Sequence, residues 1–256
     1  MSTVECLYKY FDGIIPLSLK EDWDNDGLMV CPDKNAAVTG VLFTLDVTVE
    51  AIEKAKCEGC NVIISHHPLI FRKLSDMAGE DPVSFLVISA IKSGISIFSF
   101  HTRLDSVDFG VNKALADAIG LSSTESLEDG ASCIGLVGDI DEISCETFFA
   151  RLKKALDINS ISVALGGKAS VKRVAVVGGS GDDYLFAALK KGADTFVTGE
   201  VHHHVFMMAK YYGINIVSAG HFHTENPVLE VLAKKLSEFD HDIPFVIFNS
   251  SATTVY

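Results

Sequence analysis

Nowhere in the chain does an apolar run reach the roughly 18 residues that a membrane-crossing helix needs, so an α-helical membrane span is excluded. Basic residues are scarce: 21 Lys+Arg stand against 34 Asp+Glu, for a formal net charge of −13. A chain this acidic repels phosphate backbones, and no Lys/Arg cluster offsets it, so nucleic acid is not an expected partner. The N-terminal MSTVECLYKYFDGIIP lacks the basic segment of a secretory signal and reads as an amphipathic helix, which makes a cytoplasmic location the expectation. Cysteine is sparse as well. Of the six, at 6, 31, 57, 60, 133 and 145, only Cys57 and Cys60 have suggestive spacing, and no second Cys-x-x-Cys completes a zinc site. Those two are expected as buried reduced thiols.

What the chain has in quantity is apolar sequence, 48% of 256 residues, in short segments that alternate between two periods. Val41–Leu45, Asn61–Ser65 and Ile95–Phe100 read as buried strands. Between and after them, helical patterns fall around Val49–Ala55, Pro82–Lys92 and Gly110–Ile119. The pattern restarts after a linking unit made of Cys133–Val137, a helix near Cys145–Leu156 and a strand near Ile161–Leu165. Strands then follow at Val174–Val177, Thr195–Thr198, Ile214–Ser218 and Phe245–Phe248. Helices are expected near Tyr184–Lys191 and Val205–Tyr211, and from Pro227 to about Glu238. This is the grammar of βαβ units and of an α/β fold with mixed, largely parallel sheets.

The second half echoes the first. VLFTLD at 41–46 aligns with VAVVGG at 174–179, and NVIISHH at 61–67 with DTFVTGE at 194–200, both at an offset of 133. SGISIFSFHTRLD and YGINIVSAGHFHTE each carry a histidine four residues before a carboxylate. Two related α/β domains are therefore expected, 1–126 and 127–256, divided near Glu125–Gly130, with the last helix and strand free to pack back on the first domain.

The residues with metal-ligand chemistry cluster at the carboxyl ends of these strands, where open α/β sheets bind ligands. His66 and His67 follow one strand and precede Pro68, and Asp105 follows the next. His221 follows a strand of the second half, and Glu225 precedes Asn226-Pro227, which reads as the cap and first turn of a helix. Imidazole with carboxylate suits Zn, Fe, Mn, Co or Ni. Adjacent histidines splayed by a turn can serve one ion each, and a carboxylate can bridge two. Single pairs of this kind are common as loop or capping residues; it is the shared placement that makes one site plausible.

Five blocks in order along the chain, EDWDNDGL (21–28), ISHHPLIF (64–71), FHTRLD (100–105), TGE (198–200) and GHFHTE (220–225), resemble the signatures of the GTP cyclohydrolase 1 type 2 homolog family, also called Nif-three-like proteins. The length suits the short form without an inserted domain. The resemblance implies two α/β domains, a dinuclear divalent-metal site in the cleft between them and a ring-shaped homohexamer. It further implies His67 and Asp105 on one metal, His66 and His221 on the other, and Glu225 bridging. Asp26 departs from the small apolar residue more usual before Gly27.

Other residues complete the expectation. His101 and Glu200 are the candidate catalytic residues, for acid–base work or for orienting a ligand, against structural roles in packing and capping. His202, His203 and His204 read as an accident of a helix start. His223 is placed as a possible pocket residue. Trp23, Asp24 and Asn25 read as substrate contacts or as turn chemistry around a buried indole. Gly178-Gly179-Ser180-Gly181 resembles a phosphate-binding turn but lacks the full glycine spacing and the lysine. The functional expectation is a metal-dependent hydrolase acting on a nucleotide or related small molecule. The alternatives are a non-catalytic protein that stores, delivers or senses metal, and an interaction scaffold.

Overall fold

The computed structural model describes residues 2–128 and 134–251. Cys133 and positions 129–130 of the expected boundary stretch lie outside the described residues. In chain order the elements are α1 (Val4–Ile14), β1 (Gly27–Val30), β2 (Val41–Thr44), α2 (Val49–Cys57), β3 (Val62–Ser65), α3 (Pro82–Lys92), β4 (Ser96–Ser99), α4 (Thr102–Ser106), α5 (Val111–Ile119), β5 (Ser122–Ser126), β6 (Leu136–Ser144), α6 (Cys145–Ala155), β7 (Ser162–Ala164), β8 (Ser170–Ser180), α7 (Leu185–Lys190), β9 (Thr195–Glu200), α8 (His203–Tyr212), β10 (Asn215–Ser218), α9 (His221–Glu225), α10 (Val228–Phe239) and β11 (Phe245–Ile247). Side-chain caps start several helices: Thr3 on α1, Thr48 on α2, Asp81 with Pro82 at the first turn of α3, and Ser144 on α6.

Two compact units result, Met1–Leu104 with Leu229–Tyr256, and Asp105–Val228. Residues 105–126 fall in the second unit, while the last helix and strand fall in the first, the arrangement the sequence reading left open. The reason is strand pairing: β5 hydrogen-bonds to β6, while β11 joins β2 in parallel.

The first unit holds a five-stranded sheet in the order β1-β4-β3-β2-β11. β4, β3, β2 and β11 run parallel, and β1 is antiparallel at the edge. β2, β3 and β4 are buried at every position because both faces are covered. Leu42, Ile63 and Ile97 pack with Ala51, Ile52, Ala55, Val87 and Ala90 of α2 and α3. On the alternate positions Phe43 and Phe98 meet α1, with ring centroids 6.5 Å apart for Phe11–Phe43 and 5.3 Å for Tyr8–Phe98.

The second unit holds a six-stranded sheet in the order β5-β6-β8-β9-β10-β7. Only β8, β9 and β10 are mutually parallel; β6, β5 and β7 add to them antiparallel. The expectation of largely parallel sheets thus holds for the first unit and is corrected in the second, where hairpin-type neighbours flank a parallel core. One face of that core packs Val174, Val176, Val197 and Val217 against Leu115, Phe148 and Leu152. The other packs Ala175, Phe196 and Ile216 against Leu185, Ala188, Val205 and Ala209.

The internal echo is visible in register. Val41 pairs with Val62 and Leu42 with Ile63, while Val174 pairs with Thr195 and Ala175 with Phe196. Each pair maps onto its counterpart through the same offset of 133. Cys60 is buried, and burial pushes its thiol pKa up, whereas Cys57 at the end of α2 is exposed, contrary to the expectation of two buried thiols. Among the described residues, no helix is long and apolar enough to cross a membrane.

Candidate metal-binding histidine cluster

In the first unit the ladder between β2 and β3 continues past the strand ends. The His66 N–H donates to Thr44 O at 3.2 Å and the His67 N–H to Leu45 O at 2.9 Å. The chain then turns at Pro68, and the two rings come to lie with centroids 4.8 Å apart at 45°. Beneath them, the buried Ser65 hydroxyl sits 2.9 Å from the Ser99 hydroxyl and donates to His67 O at 2.9 Å.

Each imidazole is fixed through Nδ1. His66, fully buried, has its Nδ1 2.9 Å from the Phe100 carbonyl oxygen. The His67 Nδ1 is 2.9 Å from Asp46 Oδ1. The His101 Nδ1 is 2.8 Å from Asp24 Oδ1. An oxygen acceptor at Nδ1 selects the tautomer that carries its proton there, which makes Nε2 the ring nitrogen with the lone pair. Carbonyl or carboxylate on one nitrogen and metal on the other is the usual support of a metal-ligating histidine. One donor nitrogen from each of His66, His67 and His101 lies within 4.8 Å of the other two.

The His101 support is itself well anchored. The Asp24 side chain is fully buried and also accepts from the Thr102 N–H (3.1 Å) and hydroxyl (2.7 Å). Burial pushes the Asp24 carboxyl up, but the hydrogen bonds from His101 and Thr102 outweigh it and hold the group well below the usual carboxylate range. Asp26, the residue that departs from the family pattern, has a structural task. Its Oδ2 accepts the His101 N–H at 3.2 Å and the Nε–H of the fully buried Arg103 at 3.0 Å.

In the second unit, α9 begins at His221 immediately after Gly220, whose φ of +89° suits glycine. The His221 Nε2 lies 3.1 Å from Oε1 of the buried Glu225, and its Nδ1 lies 3.3 Å from Oε2 of Glu200 at the end of β9. Glu200 thus faces the His221 ring from the end of β9. Asp105 sits in α4; its carbonyl accepts from the Asn112 amide at 2.9 Å, and the Asn112 oxygen accepts the Gly178 N–H at 2.9 Å.

The glycine turn has a different use from phosphate binding. Gly179 has φ +67°, and a Cβ there would collide with Glu225 Oε1 and come within 3.3 Å of His221 Nε2. A Cβ on Gly199 would lie 2.8 Å from the His221 Cα. Both glycines therefore make room for the His221–Glu225 pair. The Thr224 hydroxyl, accepting from the Gly179 N–H at 3.1 Å, ties the turn to α9.

Other expectations shift. Asn226 ends α9, with helical dihedrals and its N–H bonded to Phe222 O, so it does not cap α10. The His202–His204 run opens α8: His202 is its N-cap residue and pairs through Nδ1 with Asp182, and none of the three belongs to a metal-type cluster among the described residues. His223 contacts Phe222, with ring centroids 5.3 Å apart. Trp23 is not a buried indole but 62% exposed. Sequence reasoning missed Asp46 and Asp24 as histidine partners. Both lie just past or before strands and carry no spacing signal of their own.

The model of the Duf34/NIF3 (NGG1p interacting factor 3) family matches residues 2–254. The chain belongs to this family. It is 36% identical over 242 residues to a GTP cyclohydrolase 1 type 2 homolog of Clostridium perfringens, with 92% of each chain covered. Among solved structures, a hypothetical protein of Staphylococcus aureus superimposes with a TM-score of 0.90 at 27% identity, over 99% of both chains. A Bacillus cereus protein related to NIF3 does so with 0.89 at 25% identity, over 100% of this chain and 98% of the other. The mixed α/β architecture is therefore that of Duf34/NIF3 proteins, and the histidine-rich strand ends are this member's candidate site.

Proposed function

We propose that this Duf34/NIF3 protein binds divalent metal through its strand-end histidines and acts as a metal-dependent hydrolase on a nucleotide or related small molecule. The observation that carries this reading is the Nδ1 support of His66 and His67 by Phe100 O and Asp46, which commits Nε2 of both rings to a lone pair. The donor set, imidazoles with carboxylates, fits Zn, Fe, Mn, Co or Ni. In this reading His66, His67, Asp105, His221 and Glu225 would hold two such ions, Glu225 serving both. A metal held there would supply Lewis acidity to a substrate oxygen and to the attacking water.

The chain's own groups have distinct tasks. Asp46 and Phe100 O orient His67 and His66. Glu200 orients His221. His101, gripped by Asp24, holds or releases a proton at Nε2. The name of the Clostridium perfringens relative makes GTP the first substrate to screen. A homohexamer in the cytoplasm belongs to the same reading, and sedimentation of the purified protein tests the assembly.

The deciding experiment is metal analysis of purified protein, then hydrolysis assays with GTP, other nucleotides and phosphoesters. Stoichiometric metal that is lost in Glu225→Ala, with turnover restored by reloading, is the expected result. No bound metal, together with unchanged metal affinity in Glu225→Ala, would sink the proposal. Tight metal without turnover would move the protein to the storage or delivery class.

A further inference from the structure

Trp23 is the chain's only tryptophan, and it stands in water, 62% exposed, beside Phe71, which is 45% exposed. An indole usually contributes most of its area to a core or an interface, so a solitary exposed one calls for a reason. It is not on a loose loop. The Asp24 N–H bonds to Glu21 O, the Lys20 ammonium bonds to Asp24 O at 2.8 Å, and the Asn25 amide bonds to Ile70 O, tying the Trp23 turn to the segment that carries Phe71.

The rings are ordered relative to each other. Trp23 and Phe71 meet edge-to-face at 6.2 Å and 70°, Trp23 and His101 at 6.1 Å and 80°, Phe71 and His101 at 6.3 Å and 89°. Three mutually steep rings make a corner, two of whose side chains, Trp23 and Phe71, are exposed. Its third wall, His101, lies 5.3 Å from the His66 ring and 5.8 Å from the His67 ring.

We propose that Trp23 and Phe71 form an aromatic wall that binds a purine-type ring of the substrate and so places the rest of that molecule at His101 and the strand-end histidines. The wall suits a flat heteroaromatic ring because stacking on an exposed indole is favourable for any π-face and needs no hydrogen-bond code. Calling the ligand a substrate rests on the hydrolase reading above; the ring-binding wall does not.

The single tryptophan makes the test direct, since all indole fluorescence reports this corner. Whole protein is titrated with guanosine, adenosine and, as a control with no aromatic ring, ribose 5-phosphate, before and after chelation, with metal content measured in parallel. The expected result is a saturable change with both nucleosides and none with ribose 5-phosphate. By calorimetry, Trp23→Ala and Phe71→Ala should weaken nucleoside binding roughly tenfold to a hundredfold, and Trp23→Phe much less. Metal content and thermal melting should be unchanged, because both side chains are exposed. Silence with nucleosides, an equal response to ribose 5-phosphate, or wild-type affinity in both alanine variants would overturn the wall. Nucleoside binding by a protein that holds no metal would keep the wall and sink the metal reading; metal binding without a nucleoside response would do the reverse.

Discussion

The Nδ1 of His67 lies 2.9 Å from Oδ1 of Asp46, a residue that arrives from the end of the neighbouring strand. This pairing fixes ring orientation and tautomer at once. If His67 is a ligand, Asp46→Ala should lower metal affinity about 10–100-fold while leaving the fold intact, because the Asp46 side chain is 45% exposed and packs no core. Competition against a calibrated chelator measures this. Equal affinity in wild type and variant would show that the ring does not meet metal.

The relationship also shows where sequence stops being informative. The strand-end placement of His66 and His67 was legible because β2 and β3 are continuous apolar runs, and the offset of 133 proved to be the register of two crossovers. His221 and Glu225 were legible from the same logic. The antiparallel strands β1 and β5 were not, since Gly27–Val30 and Ser122–Ser126 have no distinctive apolar period and gain their order from pairing with β4 and β6. Asp46, Asp24 and Asp26 were equally silent as histidine and arginine partners. An isolated aspartate near a strand end looks like turn chemistry until the fold brings its partner across a separation of 21 residues for His67 or 77 for His101.

Gly179 and Gly192 separate strain from site geometry. Both have positive φ, +67° and +74°, but a Cβ on Gly192 meets open space, whereas one on Gly179 collides with Glu225 Oε1. Gly192→Ala should cost only backbone strain, on the order of 1 kcal/mol. Gly179→Ala should cost about the same in stability, because the carboxylate can swing aside, yet it should lower metal content where Gly192→Ala does not. Thermal melts paired with metal analysis read the two effects separately. Parallel behaviour of the two variants would detach the glycine turn from the site.

Arg103 is fully buried, with Nη1 2.8 Å from both Asp12 Oδ1 and Ile15 O, Nε 3.0 Å from Asp26 Oδ2, and its guanidinium carbon 4.8 Å from the Phe100 ring centroid. Burial pushes the Asp26 carboxyl up even beside this cation. Removing the cation strands the carboxylate, so Arg103→Met should destabilise by about 3–5 kcal/mol. Adding Asp26→Asn to Arg103→Met should recover part of that loss. Urea midpoints of the wild type, both single variants and the double variant form the cycle. A double variant no more stable than Arg103→Met would mean that lost packing on Phe100, not the stranded charge, sets the cost.

His202 offers the pH test. Its Nδ1 pairs with Asp182, whose Oδ1 also accepts the His202 N–H at 2.8 Å, at the start of α8. The Asp182 hydrogen bond and charge raise the His202 pKa above its ordinary value; burial pushes Asp182 up, but the His202 hydrogen bonds outweigh it and lower its carboxyl from the ordinary value. A raised histidine pKa stabilises the fold fully below the unfolded value of about 6.5, and that contribution is lost as pH rises through the folded value. The lowered Asp182 contributes above about 3.9 and is lost as pH falls through its folded value. The pair is therefore strongest in mildly acidic solution. By NMR titration His202 should ionise above 6.5, and Asp182→Asn should return it towards that value. Metal content should not change in that variant, because the run of three histidines serves the helix start. If Asp182→Asn strips metal instead, the run belongs to a metal site after all, and the capping account fails.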